Sequence, residues 1–201
     1  PFSSQHTFSA NYYSAIQGYD FEYNGEFNEV VGNWNLVLNA RATSDNYAIN
    51  FFGWGNQTVF DQNFNLDYYR VKRSELYFSP SLLRRFRGGN TLRLSSSIEG
   101  VEVQNTPNRN ITGFNQSAIN IFDTNYFVGG EIGVGHNRVD DISFPTKGMN
   151  FDMAIGAKSK IDDFDRRFGY FKGSLAVYQN LVSNRSLVFA SEIGTQINIG
   201  N

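Results

Sequence analysis

Apolar and polar residues alternate at every second position over most of this chain. Across 19–28, Tyr19, Phe21, Tyr23, Gly25 and Phe27 fall on one side and Asp20, Glu22, Asn24, Glu26 and Asn28 on the other. That is the period of a strand with one greasy and one wet face. After a tight Gly32-Asn33 turn the pattern resumes: Trp34, Leu36, Leu38, Ala40 and Ala42 oppose Asn35, Asn39, Arg41 and Thr43, which predicts a hairpin. Leu92, Leu94 and Ile98 then oppose Arg93, Ser95, Ser97 and Glu99, and Val128, Gly130, Ile132 and Val134 oppose Gly129, Glu131, Gly133 and Gly135. Met149, Phe151, Met153 and Ile155 oppose Asn150, Asp152 and Lys158, and Phe171, Leu175 and Val177 oppose Tyr170, Lys172, Ser174 and Tyr178. Leu187, Phe189, Ile193 and Ile197 oppose Glu192, Gln196 and Asn198. With a first strand near 6–15 and a less regular one near 67–79, where Arg70, Lys72, Arg73 and Glu75 crowd together, the count is about nine strands.

The connections differ in length. Short turns are expected near 29–33 and 181–185, medium ones near 80–90 and 139–147, and long polar loops near 44–66 and 104–124. Short turns at one end and long loops at the other are how outer-membrane barrels distribute their connections, although the short 16–18 turn falls on the long-loop side. A soluble β-sandwich or lipocalin-like barrel also shows clean alternation. Two features weigh against it. Nearly every polar face carries small and charged residues, and aromatics cluster at the expected strand ends, among them Tyr12, Tyr13, Trp34, Tyr68, Tyr69, Tyr77, Phe78, Tyr126, Phe127 and Tyr178. Aromatic girdles at both interfaces belong to a bilayer-spanning barrel. The expected class is therefore all-β, an antiparallel transmembrane β-barrel in the bacterial outer membrane.

Composition sharpens this picture in a few places. The 201 residues include 19 Phe and 11 Tyr, 19 Gly, 4 Pro and no Cys, a mix that favours strands and turns and excludes a disulfide scaffold or thiolate zinc site. Mean hydropathy is -0.39 and no apolar run is long enough for a spanning helix. Alternating strands keep average hydropathy low, so this does not argue for a soluble protein. A net charge of -2 and a pI near 5.7 supply no basic field for nucleic acid. Pro1-Phe2-Ser3-Ser4 has neither the basic nor the apolar region of a signal peptide.

The wet faces hold Glu22, Glu26 and Glu131 together with Arg41, Arg93, Glu99, Asp152, Lys172 and Glu192. A charge facing lipid near the midplane costs about 2 to 4 kcal/mol, so these side chains are expected to line a lumen. Catalytic chemistry is hard to assemble. His6 and His136 are the only histidines, and a lipid hydrolase of the outer-membrane type would need one of them beside a Ser and an acid. His136, next to Asn137, Arg138, Asp140 and Asp141, reads as part of a solvated turn, and no G-x-S-x-G elbow occurs. The run Asp162-Asp163-Phe164-Asp165-Arg166-Arg167 brings its own neutralising arginines and lacks the Gly and terminal Glu of a calcium loop. Gly53-Trp54-Gly55 and Gly133-Val134-Gly135 open no helix and read as turn and strand-packing glycines. No enzymatic activity, metal or cofactor is expected.

A family resemblance enters with Asp141-Ile142-Ser143-Phe144-Pro145-Thr146-Lys147-Gly148-Met149. It resembles the F-P-T-x-G turn, here Phe144, Pro145, Thr146 and Gly148, that joins two strands on the periplasmic side of BamA-like insertase and translocase barrels. The strands that follow, 149–158, 168–180 and 185–199, look like that family's ninth, tenth and eleventh. Upstream, Ile49-Asn50-Phe51-Phe52-Gly53-Trp54-Gly55-Asn56-Gln57-Thr58 is similar to the N-F-F-G-x-G-N-E-T outer loop of Bacteroidota-type members, with Gln57 in place of the acid. The resemblance implies that residues 1–201 form a single barrel domain incomplete at both ends, the third to eleventh of sixteen strands. A V-R-G-F loop would follow Asn201. It also implies a machine that inserts or exports other envelope proteins, with the lipid bilayer, client outer-membrane proteins and envelope lipoproteins or accessory subunits as partners. The alternative is a passive porin-like channel or a small structural barrel.

Overall fold

The computed structural model describes residues 3–53, 58–114, 121–182 and 187–200. They form one antiparallel sheet: β1 (Ser4–Tyr13), β2 (Gly18–Val31), β3 (Trp34–Thr43), β4 (Ala48–Asn50), β5 (Arg70–Arg85), β6 (Asn90–Val103), β7 (Asn125–Val139), β8 (Gly148–Lys160), β9 (Arg167–Asn180) and β10 (Val188–Gly200). Nine of these strands follow the chain as a meander, each bonded to the next, and the three-residue β4 pairs only with the start of β5. Among the described residues β1 and β10 do not meet, so each forms an edge. The fold is the all-β antiparallel one that the alternation predicts, with the nine long strands expected and β4 in addition.

Register turns the alternation into two faces. Phe27, Leu36, Leu82, Leu94, Ile132, Ile155, Phe171 and Ile197 lie side by side as one apolar row across eight strands. One residue along, Glu26, Val37, Ser81, Ser95, Glu131, Gly156, Tyr170 and Asn198 form the matching row on the other face. Burial is inverted relative to a soluble sheet. On the polar face Ser79 and Ser81 are 4% exposed and Tyr170 9%, while Leu76, Ile155 and Ile193 on the apolar face are 66, 65 and 69% exposed. The polar face is the concave one. Lys158 of β8 reaches Glu99 of β6, and its Nζ lies 5.9 Å from the ring of Tyr77 on β5, three strands away. Flat strands at the usual spacing of about 4.8 Å would hold such partners about 14 Å apart.

The meander sends 14–17, 44–69, 104–124 and 161–166 to one end of the sheet and 32–33, 86–89, 140–147 and 181–187 to the other. The two ends are called here the long-loop end and the short-turn end. The expected 181–185 turn lies partly outside the described residues. The first strand sits slightly earlier than expected, at Ser4–Tyr13 rather than 6–15.

The irregular strand read near 67–79 is corrected to Arg70–Arg85, the longest in the sheet, and the medium connection read near 80–90 shrinks to 86–89. Pro80 made the sequence look broken there, since proline lacks a ladder donor and seldom sits in a central strand. The β5–β6 register brackets Pro80 opposite Ser96, between the pairs Phe78↔Ile98 and Ser81↔Ser95. The Ser79 hydroxyl donates to the Ser96 carbonyl at 2.8 Å and so replaces the missing N–H. The aromatics are redistributed too. Tyr77 and Phe78 lie in the middle of β5 rather than at its end, and Tyr77 is on the polar face.

Candidate functional site

The concave wall carries its charges in three tiers. Near the long-loop end the Arg41 guanidinium donates from Nε and a terminal nitrogen to both oxygens of Asp20, each at 3.1 Å. Arg73 pairs with Glu75 at 3.1 Å and with Glu99 at 3.6 Å, and Glu99 also holds Lys158. In the middle, Glu131 of β7 accepts from the Tyr170 hydroxyl at 3.0 Å, with Lys172 at 3.4 Å and Arg93 at 4.0 Å. At the short-turn end Arg85 grips the Glu26 carboxylate, which also accepts from the Asn35 amide at 2.6 Å.

The middle tier is arranged by small residues. Tyr170 lies over Gly156, where any Cβ would collide with the phenol ring, so glycine is what lets the hydroxyl cross β8 to Glu131. Beside it a cavity of about 180 Å³ is lined by Ser79, Ser81, Ser95, Ser97, Arg93, Tyr170 and Lys172. The Ser81 and Ser95 hydroxyls bond each other at 2.9 Å. Glu131 is more shielded than the half-exposed Arg93 and Lys172 that flank it. Partly wet pairs of this kind contribute about 1 kcal/mol or less each, so the network organises a surface more than it stabilises the fold.

Register puts Arg41, Arg93, Glu99, Asp152, Lys172 and Glu192 on this one face. Arg93 and Lys172 converge on Glu131, whereas Asp152 sits opposite Gly135 and Ser174, and Glu192 opposite Ala176. Sequence reasoning missed the role of Tyr77 and Tyr170. Their place on the polar face of an alternating strand was the available signal, since an aromatic among Ser and Lys positions has to be held by something on that face.

The 140–147 turn is tied down by two carboxylates. Asp140 accepts from the backbone N–H of Thr146 at 2.8 Å, from the Thr146 hydroxyl at 2.5 Å and from the Lys147 N–H at 2.9 Å. These donors hold its carboxyl well below the ordinary carboxylate range. Asp141 accepts from the N–H groups of Ser143 and Phe144 at 2.8 and 2.9 Å. Pro145 fixes φ in the turn and supplies no donor, and Gly148 reopens the ladder at φ +121°, where a Cβ would collide with the Arg138 carbonyl. Ile142 and Phe144 are left projecting into solvent.

At the opposite end, Asn50 closes β4 against Arg70, and the Phe51 N–H donates to the Tyr69 carbonyl at 2.8 Å. The Phe51 carbonyl accepts from Asn110 at 3.2 Å, which ties the two long loops together. Phe52 packs 5.1 Å from Tyr69 and 6.0 Å from Phe60, and Gly53 takes φ +125°. Gly55 and Asn56 of the same motif lie outside the described residues. His136 belongs to β7 rather than to a turn, with its Nδ1 at 2.8 Å from the Asn90 side-chain oxygen, and His6 meets the Tyr23 hydroxyl at 2.9 Å. Among the described residues neither histidine is bonded to a serine or a carboxylate. In the acidic loop Asp162 pairs with Lys160 and Asp163 with Arg166.

Comparison with known proteins yields a likeness of fold. No family model and no curated protein matches this chain. Among solved structures it is similar to BamA from Haemophilus ducreyi lacking POTRA domains 1-3, with a TM-score of 0.62 and 12% sequence identity over 98% of this chain. The chain spans 41% of the length of that one. At this identity the likeness concerns the architecture, a BamA-like barrel sheet.

Proposed function

We infer that this chain is a segment of an outer-membrane barrel that assembles or translocates other envelope proteins. The observation that carries the reading is the inside-out sheet, apolar on its convex face and ion-paired on its concave face, with the course of a BamA barrel over nearly its whole length. An apolar row eight strands wide, none of whose residues is buried, is the surface that lipid stabilises. The connection at 140–148 supports the same family, since its Phe144, Pro145, Thr146 and Gly148 close a rigid turn at the short-turn end, which on this reading is periplasmic. Residues 1–201 then act as one barrel domain without catalytic residues. The work is done by the barrel and its edges on client outer-membrane proteins, with lipoprotein or accessory subunits as further partners.

A passive porin-like channel is the second reading, favoured by the mixed-sign wall around the 180 Å³ cavity. Depleting the protein in its own cell separates the two. Loss of the folded, heat-resistant form of other outer-membrane proteins before any change in small-solute uptake supports the assembly role. An early fall in solute uptake with normal folding of other barrels overturns it in favour of the channel.

A further inference from the structure

The apolar face changes character at its short-turn end. Trp34 of β3 stands directly across from Arg84 of β5, since Asn35 pairs with Leu83, and Phe86 follows on the same side. The Arg84 guanidinium lies 5.8 Å from the Trp34 ring and 5.0 Å from the Phe86 ring. Two strands further, Arg138 shares this face with Met149, its register partner on β8. Among the described residues neither Arg84 nor Arg138 has a carboxylate partner, in contrast to the concave wall, where Arg41, Arg73, Arg85 and Arg93 all have one. The nearest acid in sequence to Arg138, Asp140, gives its oxygens to Thr146 and Lys147. Between the two arginines, His136 and Asn90 bond each other rather than either cation.

The rows just inside this band are hydrocarbon, with Leu36, Leu82, Leu94 and Ile132 side by side. A guanidinium at the border of such a face, with aromatic rings beside it and no carboxylate on its donors, is matched by the phosphodiester of a lipid headgroup. We propose that Arg84, clamped by Trp34 and Phe86 and seconded by Arg138, is a binding site for the phosphate of an anionic phospholipid in the leaflet at the short-turn end. Two rings within about 6 Å restrict the planar fork that a bidentate phosphate would meet, and the Trp34 ring becomes a reporter of the lipid seated there. The site fixes the depth of β3–β7 in the bilayer. The inference rests on the barrel reading, because it requires this face to meet lipid.

The test uses the full protein purified from membranes and reconstituted in mixed phosphatidylcholine and phosphatidylglycerol vesicles, with Trp54 and every tryptophan outside residues 1–201 replaced by Phe so that Trp34 is the single tryptophan. Bromine is carried on the acyl chains of one lipid or of the other at equal mole fraction, and quenching of Trp34 is read. About fivefold enrichment of the anionic lipid beside Trp34 is expected, the scale of one surface cation's attraction. The preference falls away in Arg84→Ala, is largely kept in Arg84→Lys, and withstands added inorganic phosphate. Equal quenching by both brominated lipids overturns the proposal while leaving the barrel reading intact. Quenching by neither overturns both. Loss of the preference on adding inorganic phosphate assigns the site to free phosphate and overturns the lipid proposal. The comparison of the two brominated lipids in the single-tryptophan protein with Arg84 intact decides even if an Arg84 variant does not fold.

Discussion

The two faces of this sheet are made by the same strands, one residue out of phase, yet they are held in opposite ways. On the concave face acids and bases meet across one or two strands, as Tyr170 and Lys172 do on Glu131, and the small residues Ser79 and Ser81 are buried. On the convex face Leu94, Ile132, Ile155 and Ile197 of the row from Phe27 to Ile197 are exposed and the other four are half-buried, and the ring contacts there are local, such as Phe8 with Phe21. In water the convex face would be the core and the concave face the surface. On the barrel reading proposed above, the inversion is what selection produces in a solvent that rewards apolar exposure and punishes unpaired polar groups, as the lipid bilayer does.

The hardest blow to that contrast is a charge moved by one residue. Ile197→Lys on the convex face is expected to cost about 2 to 4 kcal/mol, and Gln196→Lys, its neighbour on the concave face, within about 0.5 kcal/mol. Denaturant unfolding from vesicles reads both, and equal costs would mean that the faces are not distinguished by lipid and water. Next comes register. Gly148→Ala places a methyl against the Arg138 carbonyl at a φ that other residues avoid, with an expected loss of about 2 kcal/mol. Because a slip of one residue between β7 and β8 would exchange their faces, the same variant should expose Glu131 or Asp152 to lipid-phase labelling if the ladder yields.

A smaller effect isolates the proline in β5. Ser79→Ala leaves the Ser96 carbonyl without a donor and is expected to cost about 1 to 2 kcal/mol. In a Pro80→Ala background the restored N–H takes over, and the same change should then cost less than about 0.5 kcal/mol. If the cost is the same in both backgrounds, the hydroxyl is not the substitute donor.

These elements also mark what the sequence makes legible. The period of 2 is enough to place Leu36, Ile132 and Ile197 on one face and Arg93, Glu131 and Lys172 on the other, because pleating forces alternate side chains apart. It is enough for nine long strands. It fails at β5, where Pro80 imitates a strand end and only the Ser79–Ser96 bond, between residues 17 apart in the chain, keeps the ladder whole. It fails again for Tyr77, which meets Lys158 through the curvature that brings β5 near β8, and for Tyr170, which reaches Glu131 across Gly156 of the strand between them. The clamp of Trp34 and Phe86 on Arg84 was equally hidden, because it depends on the pairing of β3 with β5 across the long 44–69 connection.

The gentlest test concerns the turn that sets the β7–β8 register, and it follows from protonation. Asp140 is fully exposed, so burial has almost no part in its behaviour. Its carboxylate is favoured by the Thr146 hydroxyl and by the N–H groups of Thr146 and Lys147, all of which donate to the charged form. The folded-state pKa is therefore lowered relative to the unfolded chain, where an aspartate titrates near about 4. A depressed acid gives stability that is present above the unfolded value and declines as pH falls below it, until the folded carboxyl is itself protonated. Between pH 7 and about 5 the turn should show no change, and below about pH 4 it should loosen progressively. Carboxyl-selective chemical shifts of Asp140 would follow this directly, and Asp140→Asn should flatten the acid-side response without altering behaviour at neutral pH beyond the loss of the Thr146 and Lys147 bonds. A carboxyl that titrates at about 4 in the folded protein would mean the three donors are not held on it, and the rigidity ascribed to the turn would have to come from Asp141, Pro145 and Gly148.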